Sequence, residues 1–415
     1  MATTRRGLAL AGGGPIGAIY EVGALLALDE ALTAGTLTNF DVFVGVSSGS
    51  FFAAGLANGM TAREMFESFI ENSADDPFDP AVLLRPAVGE FIRRAVGLPA
   101  LLVAAAGHWI GHPGVRGLMD AVEGLGQALP TGLCDNIGIA RYLKRLFAAP
   151  GRSNDFRELK KQLFVVATDL DTGAAVPFGA PGLDDVPISV AVAASAALPG
   201  LYPPVRHGGS WFVDGAMKKT LHASVALQDG VQLLLCINPL VPFDAALAER
   251  RTGVQPPPVV DSGLPLVLSQ MFRTIIHSRM QTAMGQYATQ YPLADIVLLE
   301  PAQDDPEMFF VNVFSYADRR RLCEHAYQYT RQELLRRYGE LTPVLARHGL
   351  KLDRAVLADP ARKLVAPQAA PAVSAGLNDT LAALDITLER LGGLLRQAEG
   401  NHHEQARPEA VPVYQ

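Results

Sequence analysis

Residues 41–58 constrain the fold more than any other stretch. Asp41 to Val46 reads as an apolar, β-branched strand, and Ser48 to Asn58 as a helix of small residues. The chain must therefore turn sharply at Ser47, inside Gly45-Val46-Ser47-Ser48-Gly49. A G-x-S-x-G turn between strand and helix pushes the serine Oγ out of the sheet, and small flanking glycines relieve the steric conflict of the strained backbone. The helix that follows aims its N-terminus at negative charge forming there. Gly/Ser turns are common, so the pentapeptide alone is a weak signal. The strand before it and the helix after it give it weight. The register selects Ser47, rather than Ser48 or Ser50, as the candidate nucleophile.

Strands and helices alternate around this elbow. Gly7 to Ala11 is a short strand that runs through Gly12-Gly13-Gly14 into a helix from about Ile16 to Leu32. There Ile16, Ile19, Tyr20, Gly23, Leu26 and Ala27 fall at helical spacing. Thr61-Ala62-Arg63-Glu64 is a capping box that opens the next helix. Gln162 to Thr168 is a strand ending in the turn Asp169 to Gly173, and Ile188 to Ala197 is a helix stopped by Pro199. Ser210 to Val213 is a strand closed by Asp214-Gly215, and Val231–Ile237 and Ile296–Leu299 are further strands. Long helices are expected over Leu266–Tyr287 and Tyr316–Tyr338, and a linker over Arg250–Ser262. This order predicts an α/β fold with a mainly parallel sheet covered by helices on both faces. The expected organisation is a core over 5–220 interrupted by a helical insertion at 72–135. Residues 221–358 complete it with helices, and an Ala/Pro-rich tail follows over 359–415. One helix is plausible in the tail at 377–399, and its end is polar.

Composition narrows the class. Lys+Arg 35 against Asp+Glu 42 leaves a net charge of −7, which gives no general electrostatic reason to bind nucleic acid or an anionic membrane. Cys134, Cys236 and Cys323 are odd in number and far apart, so they suggest neither a disulfide framework nor a metal site. Buried thiols in a reducing, cytoplasmic setting are expected, with no metal and no cofactor. The apolar run Gly7–Ala11 is broken at once by Gly12-Gly13-Gly14-Pro15 and is too short for a leader. Leu98 to Ile110 is too short to span a bilayer, which needs about 20 residues.

Gly12-Gly13-Gly14-Pro15-Ile16-Gly17 also fits the G-x-G-x-x-G pattern of a dinucleotide site. That reading needs an acidic residue at the end of the next strand, where this chain has the Ser47 elbow. Backbone N–H groups of Gly12, Gly13 and Gly14, backed by a helix dipole, fit an oxyanion hole better. Asp214-Gly215 closes a strand, so Asp214 reaches the Ser47 edge if the strands are parallel, although Asp-Gly is also a plain turn dipeptide. A triad would need a histidine; His222 and His277 are the candidates after Asp214, and neither has a telling context.

These three motifs together resemble the patatin-like phospholipases. The likeness runs through the glycine loop Gly12–Gly17, the elbow Gly45–Gly49 and Asp214-Gly215-Ala216, in order and approximate spacing. Ala167–Gly173 and Ala194–Gly200 also look like family segments, and the resemblance covers roughly residues 5 to 220. It implies an α/β sandwich and a Ser47–Asp214 dyad without histidine, with Gly17, Gly45, Gly49 and Gly215 as supporting positions. The implied activity is hydrolysis of lipid acyl esters. One position departs. The family's loop often carries Arg or Lys where this chain has Ile16, which keeps the backbone donors but removes a cation.

The expected function is thus a serine hydrolase of the phospholipase A or lysophospholipase type. Acyl transfer, storage-polyester hydrolysis and a lipid-binding pseudo-enzyme are the alternatives. The expected partner is a lipid substrate, with peripheral contact to a lipid surface. Leu98, Leu102 and Trp109, in a stretch poor in charge, are candidates for a lid or a membrane-facing wall. An apolar flap lowers the cost of extracting a lipid by about 0.8 kcal/mol per buried CH₂. The plain alternative is a helix that packs on the core.

Overall fold

A computed structural model describes residues 4–73, 78–92, 94, 96–97, 101, 129–310 and 316–365. Among these, one sheet is built from β1 (Arg6–Leu10), β2 (Val42–Val46), β3 (Gln162–Asp169), β4 (Ala175–Phe178), β5 (Val205–His207), β6 (Ser210–Asp214), β7 (Leu233–Ile237) and β8 (Asp295–Leu299). The order is β5-β6-β3-β2-β1-β7-β8, with β4 also paired to β3. Strands β3, β2, β1, β7 and β8 run parallel, whereas β4, β5 and β6 pair antiparallel at one edge. Every residue of β2 and β7 is buried. Burial on both faces explains why these strands read as continuous apolar runs without alternation.

Both faces are covered by helices. On one face, Val42, Val44, Val46, Leu234 and Cys236 pack with Ala223, Ala226 and Leu227 of a short helix and with Tyr287 of a long one. On the other lies α2 (Ser48–Ala57), close enough that a side chain on Gly45 would strike Ser50 and Ala53. Beside it is α3 (Ile188–Ser195). The first helix, α1 (Gly14–Ala31), has Pro15 in its first turn and is buried on every side from Ile19 to Leu28. It runs against α5 (Tyr316–Arg336). The long helix α4 (Gly263–Gln290) completes the group that positions the site. The capping box at Thr61 forms as expected.

The structure corrects two expectations. Asp214 does not arrive on a parallel strand, because β6 is antiparallel to β3. It reaches the right edge through register. Val46 pairs with Val166, and the next residue, Ala167, pairs with Asp214, so Asp214 lies level with Ser47. This works because the β5–β6 hairpin enters from beyond the end of β3. The second correction concerns the linker over Arg250–Ser262. Its first residues belong to the helix Ala245–Thr252, which Asp244 caps with bonds to the Ala246 and Leu247 N–H groups and Gly253 ends at φ 70°. Residues up to Leu364 form one compact unit. Most of the 72–135 insertion, including Leu98, Leu102 and Trp109, lies outside the described residues, as does the tail beyond Val365.

Candidate active site

Ser47 joins β2 to α2 at φ 50° and ψ −122°. Among the described residues only Asn72 shares a positive φ without being glycine. Such a backbone costs about 1–3 kcal/mol and persists only where its surroundings fix it. Here the Ser47 N–H donates to Ser195 Oγ at 2.9 Å, and Ser195 Oγ donates in turn to the Val166 carbonyl at 2.6 Å. Ser50 Oγ donates to the Ser47 carbonyl at 2.5 Å. The flanking glycines are sterically required. A Cβ on Gly45 would lie 2.4 Å from Ser50 Cα, and one on Gly49 would lie 2.5 Å from the Leu10 carbonyl oxygen.

Ser47 Oγ donates to Asp214 Oδ2 at 2.7 Å. The other carboxylate oxygen, Oδ1, accepts the Ala216 N–H at 2.8 Å, and Thr168 Oγ1 donates to the Asp214 carbonyl at 3.1 Å. Burial pushes the Asp214 carboxyl up to about 6, against the lowering effect of the bonds from Ser47 and Ala216. A carboxylate with that value is ionised at neutral pH yet accepts a proton more readily than an exposed one. The two candidate histidines stand apart from this pair. His222 Nε2 lies 3.3 Å from the Gly215 carbonyl, and burial lowers its pKa to about 4. His277 Nε2 faces Gln281 and Gln303 at 2.9 and 3.0 Å.

The glycine loop is tied down on both sides. The Gly12 N–H donates to the Thr220 carbonyl at 3.1 Å, and the Gly13 N–H to Ser48 Oγ at 2.9 Å. Two of the three expected donors therefore hold the loop in place. The N–H groups of Gly14 and Ser48, at the first residues of α1 and α2, have no acceptor among the described residues. First-turn N–H groups are the ones a helix leaves open. Gly12 is near enough to the elbow that a Cβ there would sit 3.0 Å from Ser47 Cβ. Behind the loop, Glu21 of α1 is wholly buried near Ser48, and burial holds its carboxyl well above the usual range.

Gly12–Gly14, Ser47 and Asp214 meet at a cavity of about 400 Å³. Phe52, Phe69 and Phe78 form one apolar end, with ring centroids 5.4 and 5.2 Å apart along the series. Helix α4 supplies Leu268, Phe272, Arg273 and Ile276 to another wall. A larger cavity of about 900 Å³ lies near Trp211 and Leu170, but no serine, cysteine or histidine among the described residues lines it. Sequence reasoning gave no role to Ser195, which shares an otherwise apolar helix with one other hydroxyl, Ser189. It also passed over the α4 wall, because Arg273 and Arg279 on a long helix read as solvent-facing. Among the described residues no group of three His, Cys, Asp or Glu is placed to hold a metal, and no helix is long and apolar enough to cross a membrane.

A strained serine bonded to a buried carboxylate and flanked by open N–H groups is equipped for acyl transfer at a carbonyl. The chain belongs to the patatin-like phospholipase family, whose model matches residues 8–227. That stretch contains the loop, the elbow and Asp214, and ends before α4. The family is one of lipid acyl hydrolases. The chain is similar to VipD from Legionella pneumophila at 17% identity, with a TM-score of 0.37, over 80% of this chain and 66% of VipD. It is similar to the type III effector protein ExoU, from Pseudomonas aeruginosa, at 16% identity, with a TM-score of 0.35, over 81% of this chain and 53% of ExoU. This chain thus spans about two thirds of the first and about half of the second.

Proposed function

We propose that this chain hydrolyses lipid acyl esters, in the manner of a phospholipase A or lysophospholipase, through an acyl-Ser47 intermediate. Asp214 Oδ2 takes the Ser47 proton as Oγ attacks the ester carbonyl. The Gly14 and Ser48 N–H groups and the ends of α1 and α2 receive the charge that forms on the carbonyl oxygen. Asp214 then returns the proton to the departing alkoxide. Water attacks the acyl-serine, Asp214 takes its proton, and the fatty acid leaves as the Ser47 hydroxyl is restored. The observation that carries this reading is the 2.7 Å bond from Ser47 Oγ to Asp214 Oδ2 at the edge of an apolar cavity.

A lipid ester also has to be reached in its aggregate. Leu264, Leu268, Met271, Phe272 and Ile275 lie exposed along one side of α4, each between 44% and 69% accessible. Leu268 and Phe272 line the cavity as well, so this stripe is continuous with the site. An apolar helix face of that kind lies against a lipid surface at modest cost. Ser47→Ala is expected to abolish fatty-acid release from lysophospholipid and from a short soluble ester while leaving the fold intact. Retained release would overturn the assignment.

A further inference from the structure

Among the described residues that line the cavity, only Asp214 and Arg273 carry charge. Arg273 is 4% exposed. Its Nη1 donates to the Val241 carbonyl at 3.2 Å and its Nε to Ser269 Oγ at 3.4 Å, both long for such bonds. The guanidinium carbon lies over the Phe309 ring, 5.2 Å from its centroid. No carboxylate among the described residues, Asp214 included, forms an ion pair with it. An arginine has five N–H donors, so the neutral contacts leave several unused. Burial without a counter-charge lowers its pKa to about 10, still charged at neutral pH. Leaving a charge buried and unpaired is costly unless something completes it.

The position says what that is. Arg273 is tied to Val241, two residues beyond Pro239, and Pro239 packs so closely on the loop that a Cβ on Gly13 would lie 2.5 Å from its Cγ. The loop itself carries no cation from Gly12 to Tyr20. Resting on the hydrolase reading above, we infer that Arg273 is the specificity-determining side chain that selects lipid esters bearing a phosphate near the scissile carbonyl. The ester carbon sits at Ser47 while the phosphate oxygens take the free N–H groups of the guanidinium. A planar fork suits phosphate better than a point charge does. A strut holding α4 to the 239–241 segment would use the bond to the Val241 carbonyl but would not distinguish ligands by charge.

The test needs no turnover. Full-length Ser47→Ala protein, with and without Arg273→Gln, is titrated calorimetrically with 1-O-octylglycero-3-phosphocholine and 1-O-octylglycerol, two uncleavable ethers with one tail. Arg273→Gln is expected to weaken the phosphate-bearing ether by about tenfold more than the neutral one. Arg273→Lys keeps the charge and loses the fork, and is expected to fall between. Should the glutamine variant fail to fold, a loss confined to the phosphate ether in the lysine variant carries the same meaning. Equal weakening of both ethers would mean a strut and overturn the inference, as would no change. Inorganic phosphate binding as tightly as the phosphate ether would assign the arginine to the free anion and overturn selection of lipid. Failure of Ser47 in the wild-type chain to take a fluorophosphonate would defeat the hydrolase reading while this binding result stood or fell separately.

Discussion

The two walls of the cavity are built differently. The wall at the sheet edge is made of backbone: a loop, an elbow and a strand end held at distances that leave no room for a side chain at Gly45 or Gly49. The wall from α4 is made of side chains on a regular helix, several of them exposed. On the proposed reading, the first fixes where a bond is broken and the second decides what is presented to it. A backbone wall has little slack, because a displaced turn moves Ser47, Asp214 and the open N–H groups together. A side-chain wall can change residue by residue and alter binding while the chemistry persists.

The largest effect is expected at the backbone wall. Asp214→Asn keeps the shape and the acceptor for the Ala216 N–H but removes the base, and kcat is expected to fall by about a thousandfold or more. The wild-type pH profile reports the same group. Asp214 must be ionised to accept the proton, so kcat/KM is expected to fall about tenfold per unit as pH drops below about 6 and to level off above it. A flat profile down to pH 5 would mean that another group is the base.

Gly49→Ala comes next. Its Cβ would meet backbone at Leu10, which cannot swing away as a side-chain tip can. Stability is expected to drop by about 1–3 kcal/mol, with activity down by about a hundredfold as the elbow shifts. A folded, fully active Gly49→Ala protein would show that the elbow has slack and would erase the contrast between the walls.

How much of this was legible beforehand follows the same division. Glycines, a serine and an Asp-Gly pair set between apolar runs mark the backbone wall directly in the sequence, because backbone geometry restricts which residues fit. Strand direction is not marked in that way. Whether β6 runs with or against β3 depends on the hairpin that delivers it, and Val205–His207, its three-residue partner, is too short to show a pattern. Likewise β4 carries Pro177 and sits at an edge, where alternation is weak. Arg273 was invisible because its meaning lies in burial, which one sequence does not display. The glycine loop was legible as a source of donors, but tertiary partners decide which donors stay open: Thr220 and Ser48 engage Gly12 and Gly13 and leave Gly14.

The smallest effect is expected outside the cavity. Leu264 and Met271 are exposed on the α4 stripe without lining the cavity. The double change Leu264→Asp and Met271→Asp is expected to lower the rate on phospholipid vesicles about tenfold, since each exposed side chain contributes about 1–2 kcal/mol of apolar transfer at most. The rate on a short soluble ester should change by less than about twofold, well inside the range of an exposed substitution. Equal losses on both substrates would place the stripe in folding rather than in lipid contact.

Attack of Ser47, activated by Asp214, on the acyl carbonyl is checked by treating the full chain with a fluorophosphonate and mapping the adduct by peptide mass. One adduct is expected, on Ser47, formed much more slowly in Asp214→Asn protein. An adduct on Ser48 or Ser50, or undiminished labelling of Ser47 without the Asp214 carboxylate, would contradict it.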